Sequence, residues 1–150
     1  MVAVTINTGT VVGMSATLPT TYDVNVTTGY VASTFTDIGE VVDIGEIAKA
    51  WAAISHQSVS RAYPQKLKDT YDIGNVSLTL GRVNNDVGQV LLATALASSA
   101  SYSFKVALPG GDIAYFTGKV LKSGLGGIAS GAVSSTTVDI AVDPETLFEV

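Results

Sequence analysis

The sequence predicts a mainly β fold, an antiparallel β-sandwich or barrel with one flanking α-helix at about residues 84–99. Three observations carry this expectation. Apolar and small polar residues alternate through Val76-Ser77-Leu78-Thr79-Leu80, and again from Tyr102 to Leu108, the period of a half-buried strand. Pro109-Gly110-Gly111-Asp112 then links the second run to another extended one, which is a hairpin signal. Only Asn84–Ser99 spaces its apolar residues helically. Strands, one helix, then strands is the order of an antiparallel sheet with a single helix on it.

Residues 1–150 are expected to form a single domain, long enough to bury a core. Residues 1–33 are rich in Thr, Val and Gly, with short alternating pieces broken by Gly9, Gly13, Pro19 and Gly29. They read as a loosely ordered N-terminal arm. From Phe35 to Ile47 the chain repeats Asp-Ile-Gly-Glu, and Gly39 marks a bulge or a close backbone approach. Trp51–Ser60 reads as extended, Arg61–Gln65 as a turn, and Tyr71–Asn75 as a second turn before the strand at Val76.

Asn84, Asn85 or Asp86 is placed to cap the helix, whose apolar stripe is Val87, Val90, Leu91, Ala95 and Leu96. In the hairpin that follows, Pro109 presets φ and a glycine supplies the positive φ of a type II turn. The return strand spans Ile113–Lys122, residues 123–131 read as a mobile Gly-rich loop, and Thr136–Val142 is the last strand, with Val138, Ile140 and Val142 inward.

Composition narrows the function classes. Charged residues make up 14 % of the chain, hydrophobic residues 47 %, and the net charge is -5. So sparse a surface charge suits a protein covered by copies of itself. With no cysteine, disulfides and thiolate metal sites are unavailable. The first residues, MVAVTINTGT, lack the positive and apolar regions of a signal peptide, and no run approaches a membrane span, so a cytoplasmic protein is expected.

Charge is also segregated. Met1–Ala48 holds five acids and no base, Lys49–Lys68 holds Lys49, Arg61, Lys66 and Lys68 and no acid, and the tail from Ser123 onward is acidic again, without a base. Either this is chance in a chain of low charge, or acidic and basic patches meet between subunits.

The search for chemistry finds no catalytic constellation. His56 is the only histidine, with no cysteine to join it as a zinc ligand. No Gly-x-Ser-x-Gly elbow occurs, and the acids of residues 37–46 lack calcium-loop spacing. Gly124-Leu125-Gly126-Gly127 has neither the lysine nor the helix of a phosphate loop. Eight basic residues against thirteen acids argue against binding DNA by counterion release. Trp51 and Tyr71 either fill the core or anchor an interface. The chain is therefore read as no enzyme, with no cofactor and no metal.

A set of short motifs, in order, resembles the major tail tube proteins of long-tailed, non-contractile (siphovirus, lambda-like) bacteriophages. These are Pro19-Thr20-Thr21-Tyr22-Asp23, Phe35–Val41, His56, Lys66–Gly74, Asp86-Val87-Gly88-Gln89 and the hairpin Tyr102–Val106 with Tyr115–Val120. The resemblance covers nearly the whole chain from about Gly9.

It implies a β-sandwich or barrel subunit that forms hexameric rings, stacked into the hollow tail tube through which phage DNA is delivered to the host. The implied partners are further copies of the chain and the tape-measure, tail-tip and tail-terminator proteins. Double-stranded DNA would pass without specific binding, and the place of the protein would be the virion tail, assembled in the host cytoplasm. Trp51, His56, Arg61, Lys66, Lys68 and Tyr71 are then the candidate subunit interface. Asp23, Asp37, Glu40, Asp43, Asp139 and Asp143 are candidates for an acidic lumen that repels DNA phosphate. Two alternatives stand beside this: a ring-forming tube protein of a contractile injection or secretion system, and a small-ligand-binding β-barrel.

Overall fold

Alternation of apolar and small polar side chains builds the strands at the centre of the molecule. A computed structural model of the chain describes residues 8–127 and 129–150. Strands β1 (Val11–Ser15), β2 (Thr36–Ile38), β3 (Val41–Ile44), β6 (Asn75–Gly81), β7 (Tyr102–Ala107), β8 (Ile113–Gly126) and β9 (Ser135–Val142) form one antiparallel sheet. The order is β2-β1-β7-β8-β9-β6-β3, and the short β10 (Phe148–Glu149) pairs with β8. β4 (Ala50–His56) and β5 (Gln65–Asp72) form a separate two-stranded ladder. The mainly β, antiparallel class with one helix, α1 (Val87–Ala97), is as the sequence predicts.

β2 and β3 lie at opposite ends of the strand order, yet only Gly39-Glu40 separates them in sequence. The sheet must therefore roll until its two edges meet. Inside the roll, Val12, Met14, Phe104, Phe116, Leu78 and Ile140 are almost fully buried, and Phe104 stacks on Phe116 at 5.3 Å between ring centres. Val76, Leu78 and Leu80 on β6 and Val138, Ile140 and Val142 on β9 all face this core, as their alternation predicts.

Helix α1 closes the roll. Asp86 is the N-cap, its carboxylate accepting from the Gln89 N–H at 3.0 Å and the Gly39 N–H at 3.1 Å. The Gln89 amide reaches back, donating to the carbonyls of Gly39 at 3.2 Å and Gly81 at 2.8 Å and accepting from the Val83 N–H at 3.1 Å. One acid and one amide thus tie the helix to the β2–β3 turn and to β6. Gly39 is a site of close approach, as expected: a Cβ there would sit 2.6 Å from the Asp86 carboxylate.

The inward face of the helix differs from the expected stripe. Gly88, Leu92 and Ala95 are buried and Leu91 packs against the core, whereas Val87, Val90 and Leu96 are exposed. The helix is apolar nearly all round, so hydrophobicity does not select a face; the fit of Gly88 does. A Cβ at Gly88 would lie 2.5 Å from the backbone oxygen of Asp37, so only glycine lets the helix settle onto β2.

Three further expectations are corrected. Within the supposed arm, β1 pairs with both β2 and β7, second from one end of the strand order, because Val12 and Met14 find Val106 and Phe104 far along the chain. The rest of that stretch covers the outer face of β7 and β8. Ser103 Oγ donates to Thr17 O at 2.9 Å, and the buried Tyr30 stacks on Tyr115 at 5.0 Å and donates to Thr146 O. Within the supposed Gly-rich loop, Ser123–Gly126 continue β8, since each finds a ladder partner on β9. At the β7–β8 turn the positive φ (102°) falls on Gly111 and not on Gly110, so the turn is not type II. Residues 1–7 of the expected arm and Ile128 of the expected loop lie outside the described residues.

Candidate assembly surfaces

All six candidate interface residues fall on or beside the β4–β5 hairpin. Trp51 pairs with Tyr71 and His56 with Gln65 across the ladder, Lys66 and Lys68 lie on β5, and Arg61 lies in the connecting loop. Trp51 is 47 % exposed, so it does not fill the core, and its ring meets that of Tyr71 at 4.7 Å. Lysines flank this aromatic pair: Lys49 Nζ lies 4.6 Å from the Tyr71 ring centre and Lys68 Nζ 5.3 Å from that of Trp51. Nearer the tip, Arg61 Nη1 donates to Gln65 Oε1 and Lys66 Nζ to Ser55 Oγ, both at 2.6 Å.

Every residue of β4 is exposed, and only Tyr71 of β5 is partly covered. Both faces of the hairpin therefore stand in solvent, and an isolated two-stranded hairpin is marginally stable in water. Among the described residues, no lysine or arginine forms an ion pair with an aspartate or glutamate. The segregation of charge along the sequence survives folding.

The six acidic candidates do not converge on one surface. Asp43 and Asp139 lie on the outer face of β3 and β9, beside a polar row that includes Ser77, Thr79 and Thr137; Ser77 Oγ donates to Asp139 at 2.9 Å. Lys122 stands opposite Asp139 in the ladder, so this face is not purely acidic. Asp37 lies on β2, and Glu40 occupies the β2–β3 turn with φ 57°. Asp23 has local work instead, its carboxylate accepting from the Asn25 N–H at 2.9 Å and from Thr21 Oγ1 at 3.0 Å. Asp143 follows β9; its backbone carbonyl accepts from Thr146 Oγ1 at 2.7 Å, and its side chain is exposed.

Chemistry of other kinds has little to stand on. Among the described residues no three His, Asp or Glu gather as a metal site, and no helix is long and apolar enough to cross a membrane. The perturbed groups are two tyrosines that stack where the covering layer meets β8. Burial pushes the Tyr30 hydroxyl far above its ordinary value, and burial raises Tyr115 as well.

A signal that the sequence reading missed is the apolar groove at one end of the roll. Ile44, Ile47, Val106 and Leu108 line it, with Asp112 and Glu149 among its walls and a volume near 460 Å³. Its parts come from three separate segments, residues 44–47, the β7–β8 hairpin and the stretch 149–150, which no local pattern joins.

The fold so described is a rolled antiparallel sheet closed by one helix, with a hairpin standing clear of it. Among solved structures it resembles one titled "Cryo-EM structure of the anti-feeding prophage (AFP) baseplate, 6-fold symmetrised". That match has a TM-score of 0.67 and 10% identity, and covers 100% of this chain and 97% of the other. It also resembles a chain of "Virion of native gene transfer agent (GTA) particle", at a TM-score of 0.62 and 13% identity over 77% of this chain and 88% of that one. At these identities what is shared is the fold. No protein-family model matches the chain, and no curated protein does.

Proposed function

We propose that this chain is a structural subunit of a phage-tail-type particle, assembling with copies of itself into six-membered rings that stack as a hollow tube for DNA delivery. The observation that carries the reading is the β4–β5 hairpin, with its exposed Trp51, unpaired cations and no core of its own. Such an element gains stability only against another surface. The likeness in fold to a protein of a six-fold symmetrised baseplate and to one of a virion supports the choice of assembly. Donor and acceptor surfaces that differ generate rings when their rotation closes, and a second such pair along the axis generates a filament.

In this reading Trp51, His56, Arg61, Lys66, Lys68 and Tyr71 bury themselves against neighbouring copies. Asp43, Asp139 and Asp143, with Asp37 and Glu40, are the acids free to face a bore, where negative charge keeps DNA phosphate from sticking. Tape-measure, tail-tip and tail-terminator proteins are the further partners, and the virion tail is the location.

Negative-stain electron microscopy across a concentration series tests the reading. Hollow tubes or six-fold rings are expected. A particle that stays monomeric at every concentration, and does not join tubes when given tail-tip complexes, would overturn it. A second reading, a baseplate ring rather than a tube, is favoured by the match to a baseplate protein over the whole chain. Rings that never stack would select it.

A further inference from the structure

We infer that the tip of the β4–β5 hairpin docks into the apolar groove of a second copy of this chain. This rests on the self-assembly reading and names the surface that receives the hairpin.

The tip combines exposed apolar side chains with cations. Val59 and Tyr63 are 108% and 68% exposed, Arg61 lies between them, and Lys66 follows at the start of β5. No acid occurs from Lys49 to Lys68. The groove has the opposite character. Its floor is Ile44, Ile47, Val106 and Leu108, its rim carries Asp112 and Glu149, and no basic residue lines it. An adjoining hollow shares Ile44 and Leu108 and adds Val42 and Asp43, again without a base. Apolar side chains meet an apolar floor, and cations meet an acidic rim. Complementary charge of this kind fixes partner and register.

The occupant cannot be the chain's own hairpin. The groove is lined by Gly45 and Ile47, just before β4 begins at Ala50. At about 3.3 Å per residue, a seven-residue strand carries the tip roughly 20 Å from that base. A paired ladder does not fold back on its own root, so the tip that fills the groove comes from another copy. Tip and groove are different surfaces, so the contact leaves each copy with one of each to offer onward.

The chain has no cysteine, so single cysteines report contacts without interference. A full-length Val59→Cys chain is mixed with a Leu108→Cys chain of different mass under mild oxidation. Val90→Cys, on the exposed face of α1, replaces Leu108→Cys as the control. All three positions are solvent-exposed, and circular dichroism checks that each variant folds. A mixed disulfide dimer is expected with Leu108→Cys and not with Val90→Cys, because a disulfide needs Cα atoms within about 7 Å. Adding Arg61→Glu and Lys66→Glu to the first chain should abolish it. Adding Asp112→Lys and Glu149→Lys to the second chain as well should restore it.

If the copies assemble but the Leu108→Cys pair links no faster than the control, the docking is wrong and self-assembly stands. If the pair links but no rings or tubes form, the docking stands and the tube reading falls. A monomer with no link overturns both.

Discussion

At the scale of single residues, Asp86 and Gln89 hold most of the closure. Asp86→Ala removes a helix cap and also strands the Gly39 N–H, so a loss of about 1–2 kcal/mol is expected, measured by urea unfolding. Gly88→Ala pushes a methyl into the backbone of Asp37, and thermal melting should show a loss of about 1–3 kcal/mol, although alanine favours helix. Tyr30 gives a pH test. Its folded pKa is raised, so its contribution is fully present below about 10, the unfolded value, and declines as pH rises above it while the unfolded state alone ionises. Tyr30→Phe should flatten the alkaline fall in stability, read by denaturant titration between about pH 9 and 11. A cap among Asn84, Asn85 and Asp86 was legible in the sequence because capping chemistry is local; the structure selects Asp86. Gly88 was not: a glycine in a helix reads as a weak position until the strand it must approach is known.

At the scale of elements, legibility followed the range of the interaction. The β7–β8 hairpin and the alternating strands β6 and β9 were visible, since their patterns lie within a few residues. The place of β1 was not, because its partners are β2 and β7. That β4 is extended could be read, but not that β5 runs from Gln65 to Asp72, through residues read as turns, nor that the two strands leave the body of the sheet. These two kinds of strand should respond differently to truncation. Leu78→Ala, at the centre of the core, is expected to cost about 2–5 kcal/mol. Ile54→Ala, on the free hairpin, should change stability by no more than about 0.5 kcal/mol while weakening assembly, which sedimentation velocity separates from unfolding.

For the whole molecule, the segregation of charge was plain in the sequence. The lack of ion pairs between side chains of the described residues was not, because it depends on which segments meet. The candidate interface gathered on one hairpin as a consequence of sequence proximity, whereas the acidic candidates scattered because they come from separate elements. If complementary charge joins the copies, association should slow and weaken as salt rises from about 0.05 to 0.5 M, as the screening length shortens, with the melting of the isolated subunit little changed. Light scattering against ionic strength would show this. The position of β1 has a further consequence, for synthesis. Val12 leaves the ribosome early, but its partner Val106 is made much later, at ordinary rates roughly 5–20 s afterwards. During that interval the strand has only the short β2 to pair with, and Met14 no core to enter. The roll therefore closes only on a nearly complete polypeptide, and rings would recruit finished subunits, never nascent ones.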